Sequence, residues 1–152
     1  MHIILEGIDR CGKGSLHKYL ERLGNFKYII DDRGILTQLV YNEKFNRGIK
    51  YNLDEYKKDL IIYLYADPRD LEIRFKITNE PPLYKDLSIL DGIEKDFDLY
   101  NKYVDILDKE GYTIFAYNTS EQTPYRLAKN IINTLEVMEE RGEIKIWVRN
   151  LM

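Results

Sequence analysis

The sequence has little of several features that mark specialised classes of protein. Its single cysteine, Cys11, excludes an internal disulfide and a cysteine-rich metal site. With 23 basic and 26 acidic residues, the formal net charge is −3, so no excess of positive charge exists to neutralise a nucleic-acid backbone or an anionic membrane. Apolar runs are far shorter than a membrane span, and the first residues lack a signal-peptide pattern. We therefore expect a cytoplasmic protein whose partners include neither nucleic acid nor membranes.

The length of the chain predicts one domain. A chain of 152 residues can bury a core but is too short for two ordinary domains. The sequence contains no internal repeat and no linker rich in Gly, Ser or Pro. We expect one unit over residues 1–152, with a lid-like segment at about 75–92 and a C-terminal extension at about 140–152.

Short apolar segments that alternate with helical ones predict an α/β fold. Four segments are apolar on both alternating faces, as strands buried between two helix layers are: residues 2–5, 27–31, 60–66 and 112–117. Helical segments separate them, which favours a parallel sheet. The longest helix is expected at about residues 91–109, and a strictly alternating stretch at 143–148 predicts an edge strand at the C-terminal end. The expected architecture has three layers, with a short parallel sheet between helices.

The loop after the first strand has the spacing of a phosphate-binding loop. Gly7 is followed, four intervening residues later, by Gly12 and Lys13. A buried strand enters this loop and an amphipathic helix leaves it, so backbone N–H groups from Asp9 to Ser15 can converge on a phosphate at the helix N-terminus. This context predicts a P-loop NTPase fold and favours phosphate binding over an ordinary turn with a solvated lysine.

One position departs from the usual loop pattern. Gly14 stands where a Ser or Thr hydroxyl commonly binds magnesium, and the next hydroxyl is that of Ser15. We expect the metal to be held mainly by nucleotide phosphates and waters, with Ser15 contributing from one position later. Cys11 and His17 are expected to be surface residues without a catalytic role.

Two stretches together resemble thymidylate kinases. The loop residues Glu6, Gly7, Asp9, Gly12 and Lys13 match that family's Glu-Gly-x-Asp-x-x-Gly-Lys loop. Residues 32–42 (DRGILTQLVYN) match a second signature in register, Asp-Arg-Tyr-x-x-Ser-x-x-Ala-Tyr-Gln. Further matches are Asp67, Pro68 and Arg74 after a strand, and Asn118, Thr119 and Ser120 after the last core strand. The resemblance extends over residues 2 to about 135 and is strongest to the compact, phage-type kinases of this group.

The resemblance implies a nucleoside monophosphate kinase that uses ATP and Mg²⁺. It implies that Lys13, Arg33 and Arg74 are catalytic. It implies that the nucleotide donor is bound by Gly7, Asp9, Arg10, Cys11, Gly12, Lys13, Gly14, Ser15, Asn118, Thr119 and Ser120. The acceptor nucleotide would be bound by Asp9, Arg33, Thr37, Tyr41 and Asn42, and the metal by Ser15 and Asp32. Nucleotides are then the expected partners, and a homodimer is left open.

Two alternatives remain at this stage. A deoxynucleoside kinase would share the loop but phosphorylate a 5′-hydroxyl, which requires a carboxylate base such as Glu6 or Asp32 near the acceptor. A non-catalytic nucleotide-binding protein is favoured by Gly14 and by the short segment between the first helix and Asp32, where the family usually has a further strand and two helices.

Overall fold

The computed structural model describes residues 2–56 and 59–143, apart from the side chain of Tyr56. The strands are β1 Ile3–Gly7, β2 Ile30–Asp32, β3 Leu60–Tyr65 and β4 Thr113–Asn118. The helices are α1 Lys13–Leu23, α2 Ile35–Lys44, α3 Pro68–Ile77, α4 Ile89–Lys109 and α5 Pro124–Glu140, with a 3₁₀ turn at Leu53–Tyr56. Each of the four core segments predicted from the sequence contributes a strand.

The strands form a parallel sheet, as predicted, and their order is β2-β1-β3-β4. The chain moves one way from β1 to β2 and the other way from β2 to β3, and right-handed crossovers then place α1 and α2 on opposite faces. Accordingly α1 packs with α5, while α4 packs with α2 and α3. Because both faces are covered, all five residues of β1 are buried.

A buried ion pair joins the two helices α2 and α4. The ammonium of Lys44 lies 3.1 Å from a carboxylate oxygen of Asp96, and both side chains are less than 10% exposed (7% and 3%). The hydroxyl of Tyr84, from the connection between α3 and α4, donates to the other carboxylate oxygen at 2.6 Å. This cluster fixes the C-terminal end of α2 and the connection against α4.

Several element boundaries differ from the predicted ones for local reasons. Strand β2 covers Ile30–Asp32 instead of the predicted 27–31, and the chain before it turns through positive φ angles at Asn25 and Phe26. Helix α4 begins at Ile89, because the Ser88 hydroxyl accepts a hydrogen bond from the Asp91 amide and caps it. The expected edge strand at 143–148 lies, beyond Glu143, outside the described residues. Among the described residues, no helix is both long and apolar enough to cross a bilayer.

The parallel arrangement brings the loops that carry the motifs to one edge. Strands β1, β2, β3 and β4 end at Gly7, Asp32, Tyr65 and Asn118, so the segments that follow share the carboxyl edge of the sheet. The crossovers diverge between β1 and β3, and open α/β sheets bind ligands at this kind of switch point. The glycine-rich loop follows β1 at that position.

Candidate functional site

The loop between β1 and α1 requires glycine where the backbone is most crowded. Gly7 has φ of 146°, and a Cβ atom there would lie 2.3 Å from the carbonyl oxygen of Leu64. Gly12 is the N-cap of α1 with φ of 97°, in the left-handed region. Both glycines of the predicted motif are therefore set by the path of the chain, as a tight loop at a helix N-terminus requires.

Lys13 extends back over this loop. Its ammonium donates to the carbonyl oxygens of Gly7 at 2.7 Å and Ile8 at 3.0 Å, and its side chain is largely buried. The amides of Gly14 and Ser15 belong to the first turn of α1, where no preceding helical turn can accept their hydrogen bonds. The lysine charge and the helix N-terminus together make the loop favourable for an anion.

Arg33 lies beside the loop and pairs with it. Its guanidinium bonds the carboxylate of Asp9, and both side chains are partly exposed. Its backbone φ is 62°, and its amide donates to the carbonyl of Leu5 at 2.7 Å. The structure thus brings together two residues that lie 24 positions apart and were both predicted to bind the acceptor.

A cavity of about 560 Å³ separates these groups from the connection between α3 and α4. Lys13, Ser15 and Arg33 line it on one side, and Glu80 lines it on the other. The carboxylate of Glu80 pairs with the guanidinium of Arg10. Glu80 was missed by the sequence analysis, because it follows α3 in a segment without a motif and only the fold places it at the loop.

A second cavity of about 270 Å³ lies between the loop and the segment after β4. Arg74 and Thr119 contribute to its lining, and the Arg74 guanidinium donates to the carbonyl of Arg10 at 2.8 Å. Asn118 and Ser120 shape the adjoining turn: the Ser120 hydroxyl accepts from the amide of Asp67 at 2.9 Å, and Asn118 accepts from the Ser120 amide at 2.9 Å.

Asp32, the predicted metal contact, has a partner on α1. Its carboxylate lies 3.0 Å from Nδ1 of His17, whose Nε2 lies 3.1 Å from Glu21. Within residues 2–56 and 59–143, no group of three or more His, Cys, Asp or Glu side chains is arranged to hold a metal ion. Ser15 and Asp32 are both exposed and carry oxygen atoms, the type of ligand that Mg²⁺ takes.

The three predicted acceptor residues on α2 have different surroundings. Thr37 is 4% exposed, and its hydroxyl donates to Glu6 at 2.8 Å. The side chain of Asn42 bonds both the amide and the carbonyl of Ile49, at 2.9 and 2.8 Å, and so holds the loop after α2. Tyr41 is half-buried, with the Arg33 guanidinium 5.8 Å from its ring centre. Of the three, Tyr41 is the one in contact with the Asp9–Arg33 region.

Two titratable groups beside the loop are fully buried. Burial raises the pKa of the Glu6 carboxyl above its usual value, although hydrogen bonds from Gly34 and Thr37 act in the opposite direction. Burial likewise raises the pKa of the Cys11 thiol, despite the nearby ammonium of Lys13. The expectation that Cys11 is a surface residue is wrong, since its side chain packs in the core next to Gly7. A buried thiol with a raised pKa is a poor nucleophile, in keeping with a structural role.

Comparisons with known proteins give relatives of this fold. The chain is similar to the SPβ prophage-derived protein YorR of Bacillus subtilis strain 168, with 24% identity over 138 residues that cover 85% of this chain and 78% of YorR. The crystal structure of YorR in complex with phosphorylated GDP has a TM-score of 0.73 and 21% identity, covering 93% of this chain and 98% of that one. Thymidylate kinase from Candida albicans has a TM-score of 0.56 and 14% identity, covering 97% and 96% of the two chains. No protein-family model matches the sequence.

These likenesses establish the fold. The chain has the α/β architecture that the YorR and thymidylate kinase structures share, with a parallel sheet and a glycine-rich loop at its carboxyl edge. The three-layer P-loop fold predicted from the sequence is confirmed.

Proposed function

We propose that this protein is a nucleoside monophosphate kinase, which transfers the γ-phosphoryl group of ATP to a nucleoside or deoxynucleoside monophosphate. One observation carries the proposal: Lys13 with its loop, and Arg33 paired with Asp9, line the same cavity at the carboxyl edge of the sheet. A donor phosphate on the loop and an acceptor phosphate on Arg33 would then be adjacent.

The donor nucleotide would bind across the two cavities. The first-turn amides of α1 and the ammonium of Lys13 suit the β- and γ-phosphates, and Arg10 is close enough to contribute a further charge. The base would extend into the smaller cavity, where Thr119 provides a hydroxyl, while Arg74 stays beside the loop through its bond to the carbonyl of Arg10. Asn118 and Ser120 then act by shaping the turn that carries Thr119.

The acceptor would be held by Arg33, with its sugar near Asp9 and its base toward Tyr41. A guanidinium binds a phosphate with two parallel hydrogen bonds, which orients it for in-line attack. The acceptor phosphate is already ionised at neutral pH, so the transfer needs positioning and charge stabilisation rather than a strong base. Arg74, anchored to the loop carbonyl of Arg10, is suited to stabilise charge on the transferring group. A bound Mg²⁺ near Ser15 and Asp32 would neutralise charge on the phosphates.

The structure weakens one basis for the deoxynucleoside kinase alternative. That reaction needs a carboxylate base in contact with the acceptor hydroxyl, and Glu6 is fully buried with its oxygens engaged by α2. Asp32 remains as a base candidate, because it is exposed and bonded to His17.

The test is ATP consumption with Mg²⁺ against a complete panel of nucleosides and of ribo- and deoxynucleoside monophosphates. We expect turnover with at least one monophosphate and none with the matching nucleoside. The YorR structure holds phosphorylated GDP, so guanine nucleotides belong in the panel as donors and as acceptors. Turnover of nucleosides alone would identify the deoxynucleoside kinase instead.

A non-catalytic nucleotide-binding protein is the remaining outcome. It would bind ATP in a calorimetric titration yet turn over no member of the panel. The same titration with the variant Lys13→Ala, which removes the loop ammonium, serves as the control that binding occurs at this site.

A further inference from the structure

A fully buried carboxylate lies directly beneath the corner that carries Arg33. Glu6, the penultimate residue of β1, is 0% exposed. Its Oε1 accepts hydrogen bonds from the Gly34 amide at 2.9 Å and the Thr37 hydroxyl at 2.8 Å, and its Oε2 accepts from the Thr37 amide at 3.1 Å. Burying a charged carboxylate away from solvent costs free energy. The hydrogen bonds that Glu6 accepts from the start of α2 offset this cost.

We propose that Glu6 is the positioning residue that sets Arg33 for the acceptor phosphate, by capping helix α2 from the neighbouring strand. The proposal rests on the proposed function, because it gives Arg33 the role assigned there.

Helix α2 has no side-chain cap of its own. Its N-cap is Gly34, which has no side chain to accept the first-turn amides. Glu6 supplies the missing acceptor from across the sheet, and its negative charge is also favourable at a helix N-terminus. The direction in which α2 leaves β2 is therefore fixed by a residue 28 positions earlier in the chain.

Arg33 lies immediately before the N-cap residue Gly34. Its φ of 62° is in the left-handed region, which a residue with a Cβ adopts at a cost unless its neighbours hold it there. The Arg33 amide donates to Leu5 and the next amide, that of Gly34, donates to Glu6. Two adjacent residues of β1 thus hold two adjacent amides of the corner, which determines where the Arg33 side chain begins.

The hydrogen bonds at the position of Glu6 require a carboxylate. Both oxygens of Glu6 accept hydrogen bonds. A glutamine has only one acceptor oxygen, and its NH₂ group would face one of the donors. Tyr100 reinforces this polarity, because its hydroxyl lies 3.1 Å from the Thr37 oxygen, whose proton is directed at Glu6. Glu6→Gln keeps the shape of the side chain and replaces one of the two acceptor oxygens with a donor.

The experiment compares Glu6→Gln with the wild type in steady-state kinetics. We expect the KM for the acceptor to rise about tenfold while the KM for ATP changes less than about twofold, since misplacement affects the acceptor ligand and not the loop. The matched control is Glu43→Gln on the exposed side of α2, which should leave both KM values unchanged. Equal rises in both KM values, or an unchanged acceptor KM in a folded Glu6→Gln variant, would overturn the proposal.

A second readout separates this proposal from the proposed function. The ¹⁵N signal of the Arg33 Nη2 group reports its pairing with Asp9 whether or not the protein turns over a nucleotide. We expect that signal to shift and its proton exchange to accelerate in Glu6→Gln and, if that variant does not fold, in the isosteric variant Thr37→Val. An unchanged Arg33 signal in these variants refutes the positioning role, whereas a shifted signal without turnover in the wild type refutes only the kinase.

Discussion

The two halves of the site, to which we assign the donor and the acceptor in the proposed function, are held in place by different kinds of contact. On the donor side, Lys13 donates to backbone carbonyls, and Arg74 does the same at the carbonyl of Arg10. On the acceptor side, Arg33 is held at its side chain by the carboxylate of Asp9, and Asp32 by His17. On the donor side these contacts go to the backbone, whereas on the acceptor side the side chains of Arg33 and Asp32 are held by other side chains, and only the backbone of Arg33 is fixed by β1.

This difference teaches which half can vary without loss of the fold. Backbone-held groups keep their places when neighbouring side chains change, whereas a side-chain pair depends on both partners. Substitutions that change the acceptor should accordingly be tolerated around Arg33, while the loop around Lys13 should tolerate few. The following changes test that division, starting with the largest expected effect.

On the proposed function, Lys13→Ala should reduce turnover at least about a hundredfold, because it removes the positive charge of the loop that would bind the donor phosphates. The thermal midpoint should fall modestly, because the carbonyls of Gly7 and Ile8 lose the buried hydrogen bonds that Lys13 donates. Steady-state kinetics and calorimetry check the two expectations. Lys18→Ala, on the exposed face of the same helix, is the matched control; activity retained by Lys13→Ala would remove the loop from the mechanism.

Asp96→Ala should lower the free energy of unfolding by about 3 kcal/mol, because it leaves the ammonium of Lys44 buried without its partner. Helix α2 would then lose its anchor on α4 at the end opposite Glu6. Denaturant unfolding measures the change, with the exposed Asp98→Ala on the same helix as control. A loss below about 1 kcal/mol would show that Lys44 finds solvent or another partner.

Arg33→Lys should raise the acceptor KM about tenfold and leave the ATP KM unchanged. Lysine keeps the charge but cannot form the two parallel hydrogen bonds of a guanidinium. The matched control is Arg22→Lys, in the exposed last turn of α1. If the ATP KM rises instead, Arg33 belongs to the donor half and the division proposed above is wrong.

Gly14→Ala should have the smallest effect, raising the unfolding free energy by about 0.5 kcal/mol and changing turnover less than about threefold. A Cβ at Gly14 would meet nothing within 4 Å, and alanine favours the helix more than glycine does. Gly24→Ala, at the other end of α1, is the contrast, because its Cβ would lie 2.6 Å from the Tyr28 ring. A tenfold loss of turnover in Gly14→Ala would show that the phosphate approaches the backbone there.

The sequence was sufficient for the parts of the molecule that depend on local pattern. The apolar runs that became β1 and β3 are buried on both faces, so their composition identifies them without knowledge of their partners. The loop from Gly7 to Lys13 combines fixed spacing with a strand before it and a helix after it, which leaves few alternatives. The architecture and the position of the phosphate loop follow from these features.

The remaining parts depend on pairs of residues far apart in the chain. Glu80 reaches Arg10 only because α3 ends above the loop, and Asp96 reaches Lys44 only because α2 and α4 pack together. The resemblance to thymidylate kinases implied that Thr37 binds the acceptor. The motif match could not show that the Thr37 hydroxyl instead donates a hydrogen bond to Glu6 of β1.

The ion pair between Asp9 and Arg33 has a consequence for ligand choice. Any molecule that uses Arg33 has to compete with a resident carboxylate, and a doubly charged phosphate is far better equipped for this than a neutral hydroxyl. A nucleoside has no phosphate with which to displace Asp9 from Arg33, so the ion pair would stay intact. On the proposed function, the Asp9–Arg33 ion pair therefore selects for a ligand that carries a phosphate, whatever its base.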